Sequence, residues 1–166
     1  GHWSNAVTWV DVQVADVNGD GLADIVGRTG GDWWMARSTG TSFVNQLLGH
    51  WSNAVTWVDV QVADVNGDGL ADIVGRTGGD WWMARSTGTG LVNQLLGHWS
   101  NAVPWEDIQV ADVNGDGRDD VVGRTGGDWW VARSTGDTFV NELWGHWSTM
   151  VPWQDVLVGN FSDPSA

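Results

Sequence analysis

The sequence predicts an all-β fold, a β-propeller built from repeated four-stranded blades. Three observations predict it. A segment of 48 residues recurs along the chain. Each copy holds four short strand-like runs separated by Gly- and Asp-rich turns, and no stretch has helical periodicity between its breakers. The composition, with 15 Trp, 24 Gly, 3 Pro and no Tyr, suits short strands and tight turns. Repeats of this length with four strands each describe propeller blades.

The copies span 1–48, 49–96 and 97–144, and a partial fourth runs over 145–166. The first two agree at 46 positions and differ only at Ser42/Gly90 and Phe43/Leu91; the third matches the second at 36 of 48. Residues 1–166 therefore read as one propeller segment. Within the first copy, Val10 to Val14 alternates by twos and forms strand one. Asp24 to Thr29 is strand two, Gly30-Gly31-Asp32 a turn, and Trp33 to Arg37 strand three. Phe43 to Leu48 is strand four, with a possible extension into Gly49-His50-Trp51.

Other repeat families fit less well. No strand ends in Trp-Asp, the kelch spacing of Tyr and Trp is missing, and the Asp-rich unit returns too rarely for a calcium β-roll. Propellers close with about four to eight blades, more than this chain supplies. Two copies would provide six, so ring closure by homo-oligomerisation is expected; an open arc would expose strand faces and Trp surface. The alternative is a piece of a longer array.

Between strands one and two stands Asp-Val-Asn-Gly-Asp-Gly-x-x-Asp, three carboxylates in nine residues. Such crowding of like charge calls for a cation. In the first copy Asp16, Asn18 and Asp20 alternate, so their side chains can converge, the Leu22 carbonyl can point inward, and Asp24 closes the shell. The equivalent sets are Asp64, Asn66, Asp68, Leu70 and Asp72, then Asp112, Asn114, Asp116, Arg118 and Asp120. All donors are hard oxygens, which select Ca²⁺ over zinc or copper and, in a flexible loop, over Mg²⁺. An EF-hand would need Glu where Gly27, Gly75 and Gly123 stand, and flanking helices.

With its strand–loop–strand setting, the motif resembles the calcium hairpin of FG-GAP/VCBS repeats, known from integrin α-subunit propellers and bacterial surface proteins. The resemblance covers all three full repeats, with Asn at the third loop position. It implies a Ca²⁺ pinned between the first two strands of each blade, with a structural role. The fourth copy has Asn160, Ser162 and Pro164 in place of the acidic ligands, so no metal is expected there.

Charge narrows the partners. The net formal charge is −14, from 21 acidic and 7 basic residues. No basic surface is available for nucleic acid or for an anionic membrane, and no apolar run reaches the roughly 18 residues of a spanning helix. Cysteine is absent, which removes disulfides and thiol chemistry. Starting at Gly-His-Trp, the chain reads as a mature form or an excised fragment, of an extracellular or cell-surface protein.

Candidate ligand residues lie at the Trp-bearing turns. Paired indoles Trp33-Trp34, Trp81-Trp82 and Trp129-Trp130 place one ring on each face of strand three, and at least one of each pair should pack between blades. Trp33, Trp81 and Trp129, next to the turn, are candidate sugar-stacking platforms. Arg28 and Asp32, Arg76 and Asp80, and Arg124 and Asp128 would be their polar partners; the competing role for the arginines is to stack on, or pair within, the blade. His2, His50, His98 and His146 recur at repeat junctions, where a packing or capping role is expected. No nucleophile or base accompanies the metal loops, so an enzyme is not expected. The reading is a calcium-stabilised binding module, a multivalent glycan-binding or cell-surface recognition domain; similar calcium-loop propellers include a fungal N-acetylglucosamine-binding lectin. The alternative is a structural or adhesive scaffold, or an engineered symmetric repeat protein, without a small ligand.

Overall fold

A computed structural model describes residues 2–159. It contains twelve strands and, among the described residues, no helix. Blade 1 comprises β1 (Val10–Ala15), β2 (Asp24–Thr29), β3 (Asp32–Ser38) and β4 (Phe43–His50). Blade 2 comprises β5 (Val58–Ala63), β6 (Asp72–Thr77), β7 (Asp80–Ser86) and β8 (Leu91–His98). Blade 3 comprises β9 (Glu106–Ala111), β10 (Asp120–Thr125), β11 (Asp128–Ser134) and β12 (Phe139–His146). Each blade is a separate antiparallel sheet with its strands in sequence order. The three form an arc of β-propeller blades.

The strand assignments made from sequence hold, with β4 running on to His50. The opening Gly-His of the second, third and fourth copies thus completes the outer strand of the preceding blade. Gly30 and Gly31 form the two-residue turn between β2 and β3 at φ +56° and +92°, the left-handed values a tight hairpin needs. The inner strands carry a bulge, where β1 shifts register against β2 between Val10 and Gln13. At that bulge Asp11 takes φ +53°, a conformation costly for any residue with a Cβ. Its carboxylate receives the Nε and a terminal nitrogen of Arg28 at 2.9 and 2.7 Å, a charge-assisted pair that holds the bend. Asp59 and Arg76 repeat the arrangement, and Asp107 and Arg124 pair likewise.

The core lies between blades. Trp33, Met35, Val26 and Leu48 on the trailing face of blade 1 meet Ile73 and Ala84 on the leading face of blade 2. Val74, Trp81, Met83 and Leu96 meet Val121, Ala132 and Phe139 in the same way. Polar clamps fix the interfaces. Gln13 donates to the Val60 carbonyl at 2.7 Å and accepts from the Val62 amide at 3.1 Å. Deeper in the interface, the Ser86 hydroxyl donates to the Val17 carbonyl at 2.6 Å, and Ser134 does the same to Val65. A single blade, lacking both neighbours, would leave these groups and its indoles in water.

Candidate functional site

The Asp-rich loops line one end of the blades. In loop 1, Asp16 accepts from the amides of Gly19 and Gly21 at 2.7 and 2.8 Å. Asn18 accepts from Asp20, and Asp20 from the Leu22 amide, at 2.8 and 2.9 Å. The short Asp and Asn side chains thus close the loop on itself before any ligand is considered. Asp24, at 0% exposure, accepts from the Ser38 amide at 2.8 Å, tying the loop to the end of β3. Asp72 and Asp120 make the same bond to Ser86 and Ser134. Successive loops touch, with the Ala71 amide donating to the Asp16 carbonyl and the Asp119 amide to that of Asp64.

Burial is the chief reason that the Asp24, Asp72 and Asp120 carboxyls are raised above their ordinary range. Asp72 is pushed up to about 7 by burial, against the Ser86 hydrogen bond and with help from the charges of Asp68 and Asp64. Its Oδ2 is buried with no hydrogen-bond partner among the described residues. No group of three or more His, Cys, Asp or Glu side chains among the described residues is gathered to hold a metal ion. The donor chemistry nevertheless fits a hard cation: oxygen-only side chains, and a buried carboxylate held among like charges. Loop 3 differs in Arg118, which pairs with Asp116 at 2.7 Å and so places a cation of its own against the ligand set.

At the rim the sequence-chosen residues take other parts. Trp33 and Trp81 are fully buried and Trp129 is 9% exposed, so none of the three can serve as an open stacking platform. The reason is packing: Trp33 stands edge-on to Trp51 at 5.4 Å, Trp81 to Trp99 at 5.5 Å and Trp129 to Trp147 at 5.0 Å. Arg28, Arg76 and Arg124 lie over those buried rings at 5.8–5.9 Å and are paired with the bulge aspartates. They are held within the blade rather than offered to a ligand. Asp32, Asp80 and Asp128 bond to Nδ1 of His50, His98 and His146 at 2.8–2.9 Å, pinning each Gly-Gly turn to the repeat junction.

The other indole of the first two pairs faces an open pocket, whereas Trp130 packs against the core between blades 2 and 3. Trp34 lines one with Trp3, Ser4, Val7, Trp9, Thr29 and Asn45, and the cavity measures about 330 Å³. Trp82 lines its counterpart with Trp51, Ser52, Val55, Trp57, Thr77 and Asn93, in about 280 Å³. Seven positions recur, each displaced by one repeat. The walls are rigid: Trp51 stacks on Trp57 at 4.1 Å, and the Trp57 N–H donates to the Ser52 carbonyl at 2.8 Å. Asn93 accepts from the Trp51 N–H at 3.0 Å and donates to the His50 carbonyl. The half-buried Trp82 and the Thr77 hydroxyl make no side-chain hydrogen bond among the described residues, which leaves both available. The indole expected at the rim is the one packed between blades, and the Gly-His-Trp-Ser corner, expected only to pack or cap, walls the pocket. Its repeated second Trp, six residues on at Trp9 and Trp57, was the available signal.

A profile of FG-GAP-like repeats matches residues 16–75 and 64–123, each match running from one Asp-rich loop through the next. The chain belongs to the FG-GAP-like repeat family. As an FG-GAP-like repeat protein it is also similar to a solved Agrocybe aegerita lectin, at 29% identity and a TM-score of 0.65. That structure is described as the basis of specific recognition of non-reducing terminal N-acetylglucosamine. The match covers 78% of this FG-GAP-like chain but only 37% of the lectin. No curated protein sequence matches significantly.

Proposed function

We propose that this chain is a non-catalytic, calcium-stabilised glycan-binding module, with one sugar site in each Trp3/Trp9/Trp34-type pocket. The observation that carries the reading is the pocket itself: open, walled by indoles, and repeated at the same positions in successive blades. Pyranose rings present apolar C–H faces that stack on indoles, while a few polar groups set orientation. Trp82 supplies such a face, and its N–H and the Thr77 hydroxyl are free to bond sugar hydroxyls. The likeness to a lectin that recognises terminal N-acetylglucosamine supports a glycan over other small ligands. Weak single sites displayed together would gain avidity.

Calcium has a structural part in this reading. Asp16, Asn18, Asp20, Asp24 and the Leu22 carbonyl would hold it, with their equivalents in loops 2 and 3, and the ion would supply the charge that the buried carboxylates lack. An extracellular or cell-surface setting suits loops of modest affinity, roughly 10⁻⁴ to 10⁻³ M. A second copy of the chain would close the ring at six blades, within the number propellers use.

The test is a glycan array in calcium buffer, with the parent chain and with Trp34, Trp82 and Trp130 all changed to Ala. Binding lost in the variant, with its fold intact by circular dichroism, supports the reading. An array blank for the parent, or binding unchanged by the triple substitution, refutes it. The near-identity of repeats 1 and 2 favours the second reading, a symmetric scaffold without a small ligand.

A further inference from the structure

Among the described residues the same interface forms twice, and its two halves stay largely uncovered at the ends of the arc. At the second interface Phe139 sits edge-on to Trp81 at 6.4 Å and is 9% exposed. Phe43, its equivalent on the leading face of blade 1, is 39% exposed, and beside it Val12 and Val14 are 52% and 63% exposed. On the trailing face of blade 3, Trp144 and Trp147 are 48% and 39% exposed, where their counterparts Leu96 and Trp99 are at 2% and 3%. An apolar cavity of about 350 Å³ opens there beside Trp129 and Val131. Inside the chain the equivalent space is filled by the next blade.

Residues 153–159 cover part of this trailing face. Val156 and Val158 pack against Val122, Trp129 and Val131. Gln109 donates to the Val156 carbonyl at 2.7 Å and accepts from the Val158 amide at 2.9 Å. This is the clamp that Gln13 applies to Val60 and Val62. Asp155 even repeats the left-handed bend, at φ +53°. The segment therefore stands where the inner strand of a following blade would stand, yet it pairs with no strand among the described residues.

On the ring-closing reading, we propose that residues 153–159 form a cap in cis that competes with a second copy of this chain for the trailing face of blade 3. The second copy presents Val12, Val14 and Phe43, and its Val12 carbonyl and Val14 amide take over the Gln109 clamp. The cap is the part that yields. It is held by the clamp and two valines, whereas β1 of the incoming copy is bound along β2 by its ladder and by the Arg28–Asp11 pair. Affinity between copies is then the intrinsic affinity multiplied by the fraction of chains whose cap is undocked.

Sedimentation velocity over a concentration series, in calcium buffer, compares residues 1–166 with the V156D/V158D variant. A chain ending at Pro152 provides a second way to free the face. Both altered chains should assemble at a concentration about tenfold lower than the parent, or less. Adding V14D on the leading face should abolish that assembly. If all chains assemble equally, the cap is refuted while ring closure stands. If none assembles at any concentration, ring closure fails and the cap with it. If freeing the face weakens assembly, the segment is a bridging strand and the proposal is overturned.

Discussion

Changing Asp72 to Asn should stabilise the chain when calcium is chelated and destabilise it when calcium is present. Asp72 is fully buried, with Oδ1 held by the Ser86 amide and Oδ2 unpartnered. Its carboxyl rises from an ordinary 3.8 to about 7 in the folded chain. The folded state therefore holds this proton more tightly than the unfolded state. That contribution to stability is complete below about pH 4 and is lost as pH rises towards 7. At pH 7, where about half of the folded chains carry the charge, burial costs at most about 4 kcal/mol, and loop relaxation and water entry leave about 2 kcal/mol. The Asn side chain keeps the acceptor for Ser86 and carries no charge. In EDTA at pH 7 the variant should melt roughly 4–8 °C above the parent for a chain of this size. At pH 4 the gap should close, because the parent carboxyl is then protonated too. In calcium the order should reverse, since the variant has lost a ligand charge. Differential scanning calorimetry at the two pH values, with EDTA and with calcium, reads all these outcomes. A variant less stable than the parent in EDTA at pH 7 would refute the account of the buried charge.

Further outcomes follow from the same geometry. Chelation should lower the melting temperature of the parent chain, and Asp20→Ala should remove part of that dependence; an unmoved melting curve would end the calcium assignment. Arg118→Leu frees Asp116 and makes loop 3 like its neighbours, so calcium titration should show one class of tighter sites in place of a weaker third. Gly75→Ala would bring a methyl within 2.9 Å of Trp51 and 3.2 Å of Val60. That overpacking should cost about 1–3 kcal/mol in thermal unfolding. It should also weaken glycan binding, because Trp51 lines the blade 2 pocket; unchanged stability and binding would show that the wall is not held there.

The repeat period, the four strands of each blade and the loops between the first two were legible in the sequence. Strand alternation, Gly-Gly turns and Asp-Asn-Gly loops are local signals, set by backbone sterics and short-range hydrogen bonds over a few residues. The identity of the exposed indole was not legible in the same way. Trp33 and Trp34 point to opposite faces of β3 by the same alternation, and both faces are apolar. Only the docking of blade 2 decides that Trp33 is covered by Trp51 while Trp34 keeps an open pocket. For Arg28 the sequence left two roles open, ligand partner or pairing within the blade; a bulge in left-handed backbone brings it to Asp11, 17 residues away, and decides for the second. The sequence by itself determined the unit and its punctuation, because those depend on neighbours along the chain. Tertiary structure alone decided which side chains are left over for a ligand or a second copy, because that depends on which faces the next blade covers.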